Sequence, residues 1–294
     1  MFRIISLFML LTFLLSSGAS GCHAKQNAAL PTQTPNTETS TSVMKVLAEG
    51  FHSSITNPFI AVMRDSETYA ALSKLGGNVP KLGPDFFEGN AVIAAFLGER
   101  NTGGYSVEIT REANGDIRIA EKMPGKGVMV PQMITSPFKI VSVSVAATPL
   151  LLALDSAWRR KMRPYRITRG TFTMTGGFAG TNEKFGLNGE MRIMRETELA
   201  TFAFAILSSG PAKKRSLIEF ATGIVESNGE ITINKMSADS LVNPPNSGLK
   251  ATGAFTAGDN KISLNFSSLP SMIADGYQGE GTLEAELVGS GSKP

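Results

Sequence analysis

The sequence predicts an α+β fold that is mostly β: a small antiparallel-sheet domain with one helix, followed by an antiparallel β-barrel or β-sandwich domain. Three observations carry this. After residue 44, short runs of apolar residues alternate with polar ones along most of the chain, the period of half-buried strands. Asn114-Gly115 and Asn228-Gly229 each join two such runs, and that dipeptide is a strong hairpin signal, read here as a type I′ turn. In the first half only the stretch from Asp65 to Gly77 carries helix punctuation, with Asp65 as N-cap, Glu67 in the first turn and Gly76-Gly77 at the end.

Residues 1–21 have the build of an export signal: Arg3, then an apolar run from Ile4 to Leu15 broken by Ser6 and Thr12, then small residues. The run is too short for a bilayer core, which takes roughly 20 residues. Ala19-Ser20-Gly21-Cys22 resembles a bacterial lipobox, which implies cleavage before Cys22 and acylation of its thiol. Cys22 is the one cysteine of the chain, so acylation there excludes a disulfide. The expected location is the bacterial cell envelope, lipid-anchored. His23 in place of an aspartate after the cysteine points to the outer membrane where the host has one. Residues 22–43, rich in Ala, Asn, Gln, Pro, Ser and Thr, read as a flexible tether. With 28 basic against 25 acidic residues, the chain lacks the dense basic charge of a nucleic-acid binder.

Residues 44–146 form the first expected domain. Lys45 to Ile55 and Phe59 to Met63 are candidate strands, and Tyr69, Leu72 and Leu75 share one face of the helix. Ala91 to Leu97 is continuously apolar, as in a central strand covered on both faces. Tyr105, Val107 and Ile109 alternate up to Asn114-Gly115, Ile117 and Ile119 resume the alternation, and Phe138 to Val145 closes the unit. Residues 147–165 are expected to be a helical connector: Thr148 caps it, Pro149 opens it, and Arg159, Arg160 and Lys161 oppose the negative end of its dipole. Residues 166–290 make up the all-β domain, with about eight alternating segments from Phe172 to Leu287 separated by glycine-bearing turns.

Catalytic patterns are missing. His23 lies in the tether and His52 in the first strand, and the chain has no G-x-S-x-G elbow and no H-E-x-x-H. Gly125-Lys126-Gly127 lacks the Ser or Thr and the upstream glycine of a phosphate loop and reads as a turn. Glu196 and Glu198, two apart, would point the same way from a strand. No catalytic residue, metal or cofactor is expected, and the chain reads as not an enzyme.

Asn101-Thr102-Gly103-Gly104-Tyr105-Ser106-Val107-Glu108-Ile109 follows a strand ending in Gly98. It precedes the Met123-Pro124-Gly125 turn and the strand Pro137-Phe138-Lys139-Ile140-Val141. This succession resembles the C-terminal domain of the PrcB family, whose namesake is a lipoprotein subunit of a spirochaete surface protease complex. The resemblance runs roughly from Phe51 to Val145 and is tightest over Thr102 to Val107. It implies a non-catalytic, protein-binding accessory that stabilises or assembles a secreted protease or another envelope complex. Thr102, Gly103, Gly104 and Tyr105 are then either a fold signature, with the glycines allowing a bulge or positive φ, or a partner contact. A rival reading makes the second domain a small-molecule or lipid-binding barrel, because its strands carry many alanines and glycines.

Overall fold

In chain order the elements are β1 (Met44–Gly50), β2 (Phe59–Met63), α1 (Ser66–Gly76), α2 (Phe86–Gly89), β3 (Asn90–Phe96), β4 (Ser106–Arg111), β5 (Ile117–Lys122) and β6 (Phe138–Ser144). Then come β7 (Leu152–Leu154), α3 (Ser156–Lys161), β8 (Arg163–Gly176), β9 (Thr181–Glu196), β10 (Leu199–Ser209) and β11 (Ser216–Val225). β12 (Glu230–Ser237), β13 (Gly248–Thr256), β14 (Lys261–Ser268) and β15 (Tyr277–Leu287) complete the chain. This computed structural model describes residues 44–76, 79–144, 152–176, 181–209, 216–237, 248–270, 273 and 276–289, and these belong to one compact unit.

Four strands form a sheet in the order β1-β6-β3-β2, and β4, β5 and β7 form a second sheet. The continuous apolar run becomes β3, flanked on both sides and buried from Ala91 to Phe96. α1 starts where the sequence places its cap: the Asp65 carboxylate accepts from the Thr68 N–H at 2.8 Å and from the Thr68 hydroxyl at 2.9 Å. Tyr69 and Leu72 form its buried face, and the Tyr69 hydroxyl donates to the Pro80 carbonyl. Gly77 lies outside the described residues. β1 is shorter than expected and ends at Gly50.

The connector differs from the expected single helix. Thr148 and Pro149 lie outside the described residues, and Leu152–Leu154 is a strand that pairs parallel with β5. Leu152 and Leu154 are buried while Ala153 is half-exposed, so a two-residue period outweighs the helical one here. The helix begins only at Ser156, where the Asp155 carboxylate takes the N-cap and accepts from the Trp158 N–H at 3.0 Å.

The hairpins are where Asn-Gly places them, but their turns differ from type I′. Only Gly115 and Gly229, not the preceding asparagines, have positive φ (92° and 87°). In each, the glycine N–H donates to the carbonyl three residues back, Glu112 or Glu226. This is a type I turn closed by a glycine bulge.

β8 to β15 close into an antiparallel barrel, which decides between barrel and sandwich. Closure comes from β8, which pairs with β9 on one side and with β15 on the other. An eight-stranded barrel has an interior just wide enough for side chains, and among the described residues these fill it. Phe202 lies 6.4 Å from Phe255 and Phe204 lies 6.3 Å from Phe266, centroid to centroid, across the interior. The glycines that suggested a cavity serve close backbone approach instead: a Cβ at Gly253 would run into the Ser263 carbonyl.

The sheet leans on the barrel through the edge of β2. Thr201 of β10 and Thr222 of β11 are register partners. The Thr201 hydroxyl donates to the Ile60 carbonyl, and the Val62 N–H donates to the Thr222 hydroxyl at 2.7 Å. Just beyond, Arg64 Nη2 meets Glu219 Oε1 at 2.7 Å, with the side chains 4% and 1% exposed. Glu219 stands opposite Phe204 in the ladder, and directly paired residues share a face, so it occupies an inward position. The Asn234 amide of β12 donates to the carboxylates of Asp65 and Glu67. Residues 62–67 therefore form a strap from β11 to β12. Among the described residues, that ladder holds only Ile224 opposite Thr232 and Val225 opposite Ile231.

Removing one member of a buried ion pair strands the other in a low-dielectric setting. Glu219→Leu is expected to lower unfolding stability by about 3–5 kcal/mol, and Arg64→Met with Glu219→Leu to recover most of that. Urea unfolding of the three proteins checks it.

Candidate functional site

β3 gives way to the glycine-rich stretch through Gly98, whose φ is 72°. A Cβ there would lie 2.5 Å from the Thr56 carbonyl oxygen, so the turn requires glycine. Arg100 then pins the chain on both sides of the turn. Its backbone pairs both ways with Thr135, at 2.8 and 2.9 Å. Its guanidinium donates through Nη1 to the carbonyls of Leu97 and Glu99, and reaches Glu121 Oε1 from Nε at 3.0 Å and from Nη2 at 2.9 Å. The same guanidinium lies over the Tyr105 ring, 5.6 Å from its centroid. Lys161 of α3 approaches the other oxygen of Glu121 at 3.8 Å. Burial first, then the charge of Arg100, pulls the Lys161 ammonium below its ordinary pKa.

The four singled-out residues support a neighbouring loop. Thr102 offers its carbonyl to the Thr135 hydroxyl at 3.0 Å. The Gly103 N–H donates to the Pro131 carbonyl at 2.9 Å. Gly104 has φ 83°, and a Cβ on it would lie 2.8 Å from Val130 and 2.9 Å from Pro124. Tyr105 is half-buried at the edge of the small-sheet core. Together they cradle the segment from Met123 to Ser136 that joins β5 to β6.

That segment carries an exposed apolar surface. The Val128 N–H donates to the Gly125 carbonyl at 3.1 Å and Gly127 has φ 80°, a type II turn with Lys126 at its second position. Around it, Met123 is 69% exposed, Val128 60%, Met129 95%, Met133 48% and Ile134 63%. Phe51, 57% exposed, joins them because its carbonyl accepts from the Ser136 N–H. Clustered exposed apolar side chains mark an interaction surface, and methionine adapts to irregular partners. The sequence showed this segment only as a proline-bearing turn. Its usable signal was a set of Met, Val and Ile residues matching neither the strand nor the helix period.

Cys22 lies outside the described residues. His52 is exposed. Glu196 and Glu198 do not share a strand face: β9 ends at Glu196, Thr197 turns the chain with φ 46°, and β10 starts at Leu199. Among the described residues no group of three or more His, Cys, Asp or Glu is placed to hold a metal ion, and no helix is long and apolar enough to cross a membrane.

The family model described as PrcB C-terminal matches residues 91–144. The match runs from β3 to β6 with the glycine turn and the exposed loop inside it, and this region is a PrcB-type domain. A crystal structure of a protein of unknown function from Bacteroides ovatus aligns at 8% identity over 84% of this chain and 97% of that chain, with a TM-score of 0.30. No curated protein matches the chain.

Gly104→Val adds both a strained φ and a clash with Val130. It is expected to cost about 1–3 kcal/mol and to speed trypsin cleavage after Lys126 as the loop leaves its cradle. Limited proteolysis beside thermal unfolding reads both effects.

Proposed function

We propose that this chain is a lipid-anchored, non-catalytic accessory that holds or stabilises a protein complex at the bacterial envelope, with an exported protease as its partner. The observation that carries the reading is the PrcB C-terminal match over residues 91–144, since a domain of that type goes with an accessory role in a protease complex. Such a role needs a surface and an anchor rather than a nucleophile or a metal. Cys22 is the acylated anchor, and residues 22–43 are the tether.

The contact we assign is the outer edge of β4. Among the described residues β4 is the terminal strand in the order β4-β5-β7, and it begins directly after the turn of Thr102 to Tyr105. Val107 and Ile109 face the core while Glu108 faces solvent, so the strand is held in one orientation by its buried side. A strand edge offers backbone donors and acceptors to an extended segment of a partner, here along Ser106 to Thr110.

The test is mass spectrometry of what accompanies the tagged, detergent-extracted protein from its own cells, with pulse-chase of the exported proteases. The expected result is a protease in stoichiometric amount whose half-life shortens when the gene is deleted, and release of the chain into the soluble fraction by Cys22→Ser. Recovery of the chain alone, with unchanged turnover of every exported protease, would refute the partner.

A further inference from the structure

We propose that the segment from Lys122 to Ile134 is a finger that inserts shallowly into an anionic phospholipid surface. This goes beyond the accessory reading and rests on it only for the lipid anchor at Cys22, since it concerns the loop and not the β4 edge.

Shape argues first. Every residue from Gly125 to Met129 is exposed, and the type II turn at Lys126 places them at the tip of a projection. Such a projection fits a medium that flows around it. A protein partner would need a matching pocket to cover a side chain as free as Met129, at 95% exposure.

Charge argues next. From Lys122 to Ser136 the sequence is Lys-Met-Pro-Gly-Lys-Gly-Val-Met-Val-Pro-Gln-Met-Ile-Thr-Ser, with two lysines and no carboxylate. Apolar side chains beside lysines, with no acid to repel phosphate, suit the boundary between headgroups and acyl chains. There the apolar groups leave water while the ammonium groups stay level with the phosphates.

Rigidity and reach complete the argument. The loop is held from beneath by the Gly103 N–H on the Pro131 carbonyl and by the Thr135 hydroxyl on the Thr102 carbonyl, so little ordering is needed at the surface. Met44 pairs with Val143 and Gly50 with Phe138, so the chain enters the sheet at the end away from the loop. The stretch between Cys22 and Met44, extended, covers at most about 80 Å, against about 20 Å for the length of β1. A chain anchored at Cys22 can therefore lay the finger on the same membrane.

The compact unit from Ser40 to Pro294, which lacks the leader and Cys22, isolates the loop's contribution. Flotation with vesicles of phosphatidylglycerol and phosphatidylethanolamine is expected to show binding about tenfold or more tighter than to phosphatidylcholine vesicles. Met129→Asp with Ile134→Asp should weaken it about tenfold with the melting temperature unchanged, as both positions are exposed. Met129→Trp should show a blue-shifted emission that brominated lipid quenches. Equal binding to both vesicle types, or Asp variants that float like the parent, would overturn the proposal. Asp variants that float normally but lose a co-purifying protein would assign the finger to a protein partner instead. Failure here leaves the protease test untouched, because that test reads partner capture and half-life.

Discussion

The strap of residues 62–67 is the constraint on which the rest of the fold depends. β2 is the last strand of its sheet, and an uncovered strand edge invites the wrong partner. Here the edge is closed by two threonine hydroxyls, placed opposite each other on β10 and β11. The two hydroxyls lie 2.8 Å apart, so each polar group is satisfied in a buried place where leaving it unpaired would be costly. Two residues on, Arg64 brings a charge to Glu219, and α1 starts at once with its acidic first turn on Asn234. One short segment thus ends a sheet, starts a helix and spans the sparsest ladder of the barrel.

Below that strap the two cores divide the work. The small-sheet core takes in Trp158 of α3 and, from the barrel wall, Leu199 and Phe220, so it is completed by outward-facing residues of the other half. The apolar core of the barrel is drawn from its own strands, with phenylalanine rings meeting across it, and Arg64 of the strap reaches its inward-facing Glu219. A filled barrel is a stiff wall, and the PrcB-type region is built against it. The two surfaces proposed for binding, the β4 edge and the loop after β5, belong to the part that is supported.

What the sequence revealed followed from locality. Strand alternation, the Asp65 cap and the two Asn-Gly turns depend on neighbours within a few residues, and each lies where it was expected. Closure of the barrel depends on β8 meeting β15, more than a hundred positions away, and periodicity says nothing of such a pairing. Nothing local marks Thr201 or Thr222, which only the register sets opposite each other under β2. The helix expected at Thr148 reflects a leucine run that satisfies a strand and a helix equally well. Thr102 to Tyr105 stood out because two glycines before a strand are unusual, yet their purpose, to make room for Pro124, Val130 and Pro131, involves residues twenty to thirty positions on. The exposed loop escaped because surface apolar residues have no period to betray them.

The hydroxyl seal on β2 also bears on how such a chain can diversify. A domain whose sheet edge is finished by side chains of its neighbour is not a freely exchangeable module. Cut from the barrel, the small sheet would present the backbone of Ile60 and Val62, together with a buried arginine, to whatever strand came near, which invites self-association. Any other protein that carries this sheet beside a different companion must finish the edge in its own way, with hydroxyls, a helix or another strand. The junction, more than either core, should then record which companions the domain has accepted.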